Sequence, residues 1–174
     1  MKKAWLAIPL SAALLLGSIV PTGTALDSAT QNEASAATKK YYFKNNVAKL
    51  DDVKVKITKK KIIKPGQKGN EYGDKPIIAF WYTTTNLSNK DISPLSAWIA
   101  IFSASQSTTN YTAKLNLGGA PSDAHSTSQF YDIKKGKSLK SSVSYELVSN
   151  KPVPLKAHKG IGGKYLGKKV YKVK

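Results

Sequence analysis

The chain of 174 residues contains no cysteine and no arginine, and only two histidines. Without cysteine there is no disulfide framework, no thiolate nucleophile and no thiol to carry a lipid, so folded parts must be held by packing alone. Two histidines far apart, with no cysteine, cannot build the usual zinc or copper ligand sets. Every one of the 28 basic residues is lysine. That removes the planar guanidinium fork used for bidentate contacts to bases and phosphates, and specific nucleic-acid recognition is not expected. Acids are scarce too, ten against 28 lysines, for a net charge of +18. The close acidic pairs are Asp51-Asp52 and Glu71 with Asp74. Neither has the spacing of a calcium loop, and no motif marks a carboxylate pair for glycoside hydrolysis.

The one long apolar run is N-terminal. Lys2 and Lys3 precede an uncharged stretch from Ala4 to Val20, followed by Pro21, Thr22 and Gly23, which is the layout of a secretory signal peptide. Gly23-Thr24-Ala25 and Ala34-Ser35-Ala36 are both small-residue cleavage sites; the second fits the A-x-A pattern better and would leave Ala37 as the mature N-terminus. An uncleaved membrane anchor is the alternative, disfavoured by Pro9 and the small-residue stretch. The expected organisation is a signal peptide over 1–36, a short leader over 37–41 and one domain over 42–174. No later stretch is long and apolar enough to cross a membrane. Charge is unevenly divided within the exported part. Residues 37–75 hold twelve lysines and four acids, residues 76–133 two lysines and three acids, and residues 134–174 twelve lysines and one acid.

Short β-branched and aromatic runs separated by turn residues predict an all-β domain, a sandwich or barrel. Val53, Val55 and Ile57 alternate with Lys54 and Lys56, the pattern of a half-buried strand. Continued alternation would carry Lys59 and Lys61 inward with Ile63, so a bulge, a strand end or a guarded edge is expected there. Pro76–Thr85 is apolar on both faces and predicts a central strand anchored by Phe80 or Trp81. Ala97–Phe102 reads as a second central strand with Trp98 buried. Further strands are predicted at Tyr111–Leu115, Ser128–Ile133 and Ser141–Val148. Alternate prolines at 152 and 154 predict an edge strand or connector up to Ala157, and Lys164–Lys174 closes the domain.

Lys75-Pro76-Ile77-Ile78-Ala79-Phe80, Thr85-Asn86-Leu87-Ser88, Ser93-Pro94-Leu95-Ser96-Ala97-Trp98, Gln106, Ile133-Lys134-Lys135-Gly136 and Tyr145-Glu146-Leu147, in this order, resemble a secreted Gram-positive family, domain of unknown function 5067. The resemblance spans roughly residues 43–173. It implies an immunoglobulin-like β-sandwich and brings no activity with it. Many relatives in that family look like lipoproteins tethered through a cysteine, which this chain lacks.

Asp123-Ala124-His125-Ser126 gathers the residue types of a catalytic triad, but neighbours on one loop lack the rigid, oriented geometry that a triad needs, so a solvated histidine is expected. His158 has no acidic neighbour. Gly160-Ile161-Gly162-Gly163 precedes Lys164 without phosphate-loop spacing and reads as a turn. No enzyme activity and no cofactor are expected. The charge points to a non-catalytic module held on anionic cell-envelope polymer or lipid headgroups, with Lys134, Lys135, Lys137, Lys168, Lys169 and Lys172 as candidate polyanion-binding residues. Solubility alone also accounts for net charge. Glycan stacking on exposed tyrosines, with Tyr72, Tyr111, Tyr165 and Tyr171 as candidates, is the alternative.

Overall fold

The computed structural model describes residues 40–174. The signal segment, both cleavage sites and the start of the leader lie outside the described residues. The chain forms a β-sandwich of two antiparallel sheets. The strands of the first are β1 (Tyr42–Lys44), β2 (Val47–Lys49), β3 (Val53–Ile63), β4 (Ile77–Asn86), β7 (Leu117–Gly118) and β8 (Ser138–Glu146). Their spatial order is β1-β2-β3-β4-β8-β7. The second sheet is ordered β10-β9-β5-β6, from β5 (Phe102–Ser107), β6 (Thr112–Lys114), β9 (Val153–His158) and β10 (Tyr165–Tyr171).

Local chemistry sets these elements. Asn45 and Asn46 both take positive φ, 50° and 64°, giving the two-residue turn whose twist suits a tight hairpin between β1 and β2. β3 and β4 pair from Val53↔Asn86 to Ile63↔Ile77, with a register shift between Ile57 and Lys59. Of the bulge, strand end or guarded edge expected there, the structure shows the bulge. The extra residue, Thr58, restores phase, so Lys59 and Lys61 face outward opposite Trp81 and Ala79. Lys60 takes the inward parity opposite Phe80, and its ammonium escapes the interior by donating to the Lys172 carbonyl at 3.0 Å. At the sandwich edge a Cβ on Gly167 would lie 2.9 Å from the Phe43 carbonyl oxygen, so β10 can pass this close to β1 only as glycine.

Between the sheets, Phe80, Trp98, Leu155, Val143 and Val153 are completely buried. Trp98 stacks within 4.6 Å of Tyr82 and 4.5 Å of Phe102, and its Nε1–H donates to Tyr145 Oη at 2.7 Å. Burial pushes the Tyr145 phenol up to about 12.

Three sequence expectations are corrected. Ala97–Phe102 is not a strand: Pro94–Ile101 forms an α-helix, α1, with Ser93 as N-cap, a Ser93/Ser96 capping box and Pro94 in its first turn. Ser128–Ile133 is not a strand either; Ser128–Phe130 is a 3-10 turn that buries Gln129 and leaves Phe130 exposed. β9 is not at an edge but lies between β10 and β5. Its pairing with β5 runs only from Ala157 to Leu155, so Pro154 sits just past the last partner and interrupts no ladder there.

Candidate polyanion-binding face

The bulge and the pairing registers put one set of side chains on the outer face of the six-stranded sheet. β1 contributes Lys44, β2 Lys49, β3 Lys54, Lys56, Lys59 and Lys61, and β8 Lys140. All are exposed. Thr83 and Thr85 of β4 and Ser138 of β8 lie between them, with Thr85 and Ser138 hydroxyls 2.8 Å apart. The only acid in the strands of this sheet is Glu146, at the far end of β8 beside Lys75. Among the described residues, ion pairs involve only Lys40, Lys75 and Lys159, so the face lysines are not neutralised within the domain. Lys49 and Lys54 stand directly opposite one another, a like-charge pairing that costs the sheet stability. Residues two apart on a strand are about 6.7 Å apart and neighbouring strands about 4.8 Å, so the lysine Cα positions form a dense two-dimensional array.

One end of this face is partly roofed. Ile63, Ile77 and Ala79 form a small second apolar cluster on which Trp81 packs. A cleft of about 470 Å³ opens between this cluster and the Ala120–Ala124 loop, with Lys59, Lys61 and Lys68 in its wall. The Lys59 ammonium lies 5.1 Å from the Trp81 ring centroid. Glu71, also in the wall, is held below the usual carboxylate range by the backbone N–H groups of Gly69 and of Glu71 itself.

The loop over this cleft carries the triad-like residues, and they do not form a relay. Ser126 Oγ donates to the Asp123 backbone carbonyl at 2.8 Å, while His125 Nδ1 lies 3.0 Å from Ser142 Oγ. His125 is thus anchored on the sheet, half-buried, where the sequence suggested a solvated side chain. Burial, with Lys140 adding to it, lowers its pKa. Ser142 is fully buried beneath the loop, out of a substrate's reach. Among the described residues no three metal-ligating side chains cluster.

The sequence-named lysines divide between two places. Lys134, Lys135 and Lys137 lie in the turn before β8, where the Lys137 N–H bonds the Lys134 carbonyl. Lys168 and Lys169 lie on the edge strand β10, and Lys172 just beyond it. All six are exposed, but Lys169 is tied by its ammonium to Asn46 Oδ1 at 2.6 Å. The turn leads into β8 of one sheet and β10 is an edge strand of the other, and neither lies on β3. The Val-Lys-Val-Lys-Ile alternation pointed to the face on β3; only the bulge and the pairing partners show how far it extends. The tyrosines likewise fail to form a strip. Tyr72, Tyr111 and Tyr165 are exposed in separate loops or strand ends, and Tyr171 is buried against Phe80 with its hydroxyl on Asn46.

A family model described as a domain of unknown function, DUF5067, matches residues 28–159. The chain belongs to this family. A solved Staphylococcus aureus structure, described as a "putative lipoprotein", is 25% identical over 76% of this chain and 92% of its own, with a TM-score of 0.65. An Enterococcus faecalis protein solved by NMR is 17% identical over 79% of this chain and 96% of its own, with a TM-score of 0.58, and shares the fold. No curated protein matches the sequence.

Proposed function

We propose that this DUF5067 domain is an extracellular, envelope-associated, non-catalytic module that holds anionic cell-envelope polymer across the outer face of its six-stranded sheet. The observation that carries the reading is the array from Lys44 to Lys140, packed side by side with its only strand acid at the far end. Lysine ammonium groups bind a flexible polyanion as point charges without demanding one phosphate or carboxylate geometry. The extracellular placement draws support from the Staphylococcus aureus structure described as a "putative lipoprotein". The sequence holds no cysteine that could carry a lipid, and charge offers a different means of retention. No helix among the described residues is long and apolar enough to cross a membrane.

The test is elution from isolated cell walls along a salt gradient. A variant with Lys54, Lys56, Lys59 and Lys61 changed to Gln should elute well before wild type, because each lost contact lowers both affinity and its salt dependence. Changing Lys134, Lys135, Lys137, Lys168, Lys169 and Lys172 to Gln should have a smaller effect, although it removes more charge. Retention insensitive to salt, or loss that follows total charge alone, would remove the sheet face as the site.

A further inference from the structure

The cleft beside Trp81 differs from the rest of the outer face in carrying both signs of charge. β3 supplies Lys59 and Lys61, the β3–β4 loop Lys68 and Glu71, and the Ala120–Ala124 loop Asp123. All five are exposed, and no cation among the described residues lies within ion-pairing distance of Glu71 or Asp123. At about 470 Å³ the cleft is within the range of small-molecule sites. Its aromatic wall is Trp81, packed on Ile63, Ile77 and Ala79 but only half-buried.

The walls are held in place by the fold itself. A Cβ on Gly69, which has a φ of +92°, would lie 2.5 Å from the Pro121 carbonyl oxygen, so the two loops meet as closely as glycine allows. Asn70 Nδ2 ties the first loop to the carbonyls of Ile63 and Lys75, at 3.3 and 2.8 Å. Ser144 Oγ donates to the Gly119 carbonyl at 2.8 Å and, with the His125 contact to Ser142, holds the second loop on β8. A ligand entering here does not have to order the site first.

We infer that this cleft takes one pyranose ring bearing an anionic substituent, so that the polymer on the lysine face is an anionic glycan; the inference rests on the polymer reading above and names its class. The acids decide the class. A bare polyphosphate chain would gain the three lysines but be repelled by Glu71 and Asp123. A sugar ring uses both signs, because its hydroxyls donate to carboxylates while its substituent meets ammonium groups. The C–H groups on one side of the ring pack on the negative face of an indole. The Lys59 ammonium, 5.1 Å from the Trp81 ring centroid on a flexible stem, is close enough to reach the substituent of a ring seated there.

Titration of the isotope-labelled whole chain with tetragalacturonate and with glucose-6-phosphate tests this, read by NMR at the Trp81 indole N–H and the Gly69 and Asp123 amides. Tripolyphosphate and phosphoethanolamine serve as probes without a ring. Saturable binding of both sugars is expected. Trp81→Leu, checked for an unchanged thermal transition, should weaken both sugars about tenfold and leave the ringless probes unchanged. Trp81→Phe, which keeps an aromatic ring on the apolar cluster, should weaken them about threefold. Glu71→Gln with Asp123→Asn should tighten tripolyphosphate and lower the preference for glucose-6-phosphate over it about threefold or more. Lys54→Gln with Lys56→Gln should hasten elution from cell walls and leave that preference unchanged. If the Trp81 variants bind the sugars as wild type does while the Lys54 and Lys56 change still releases the chain from walls, the saccharide reading falls and the polymer reading stands. Failure of both sugars to bind, equal loss of phosphoethanolamine on Trp81→Leu, or equal tightening of every anion when the acids are neutralised would each overturn it.

Discussion

β4 places Ile78, Phe80 and Tyr82 on the face toward the second sheet, none more than 1% exposed, and Trp81, Thr83 and Thr85 on the other, all partly open. Its neighbour β3 does the same with Val53, Val55 and Ile57 inside and four lysines outside. The inward face is fixed by volume and close packing. The outward face, apart from the patch under the Ala120–Ala124 loop, carries charge without partner carboxylates. Selection for stability alone would not set Lys49 opposite Lys54, or four outward lysines along β3 beside three more. The two faces should therefore respond differently to substitution, the first in stability and the second in binding.

The largest effect is expected at Trp98. Trp98→Ala removes a fully buried indole, its contacts with Tyr82 and Phe102 and the hydrogen bond to Tyr145, and should cost about 3–5 kcal/mol in denaturant titration. A loss below about 1 kcal/mol would mean that the interior relaxes as freely as the exterior, and the contrast between the faces would fail. Next is Gln106, fully buried, whose Oε1 accepts from the N–H groups of Val148 and Ser149 and whose Nε2 donates to the carbonyls of Ser149 and Lys151. Gln106→Leu keeps the volume but strands those backbone groups, for an expected loss of about 2–3 kcal/mol.

These two residues also show what the sequence disclosed and what it did not. Trp98 was expected to be buried, and it is, but in a helix. Pro94, Ala97, Trp98 and Ile101 recur at the spacing of one helical face, and Ser93 with Ser96 supplies the cap; the run looked strand-like because Leu95 and Ile99 are apolar on the other face. Phe80 and Trp81 were interchangeable as core candidates from an unbroken apolar run, and only pairing partners separate the buried Phe80 from the half-open Trp81. Gln106 stood out in the sequence only through the family resemblance; no local pattern gave its role, because its partners lie more than forty residues away. The lysines that matter most in the proposed site were legible singly, as outward residues of a half-buried strand. Their assembly into one face depends on long-range register, which period-two alternation cannot supply.

On the outward face the expected stability change is small and of opposite sign. Changing Lys54, Lys56, Lys59 and Lys61 to Gln relieves repulsion among neighbours, so the variant should be as stable as wild type or more so by up to about 1 kcal/mol at low salt. The difference should vanish near 1 M salt, where the Debye length falls to about 3 Å. Thermal melts at several salt concentrations measure this. A marked destabilisation would show that the lysine stems pack as part of the fold, and the division between the faces would lose its sharpest line.

The smallest effect belongs to Asp51, one of the few carboxylates that does meet a cation. The Tyr41 hydroxyl donates to it, Lys40 lies 3.0 Å away and Lys159 3.7 Å, and the Lys159 ammonium also sits 3.8 Å from the Tyr41 ring centroid. The Tyr41 hydrogen bond first, then Lys40, hold the Asp51 carboxyl below its usual range. A carboxyl whose native pKa is depressed stabilises the fold above its unfolded value, near 3.9, and loses that contribution as pH falls through the native value. Asp51→Asn removes the contribution at every pH. The gap in melting temperature between wild type and Asp51→Asn should therefore hold steady from about pH 7 to pH 5 and narrow below about pH 4. Because the group is exposed, the gap should be slight throughout and shrink as salt is added. The lysine face offers no such carboxylate, so the Gln variant of β3 should keep a wild-type narrowing when Asp51→Asn is added to it. If the narrowing disappears in the Gln background, the ion cluster and the face are coupled, and charge on this domain has to be treated as one field instead of two regions.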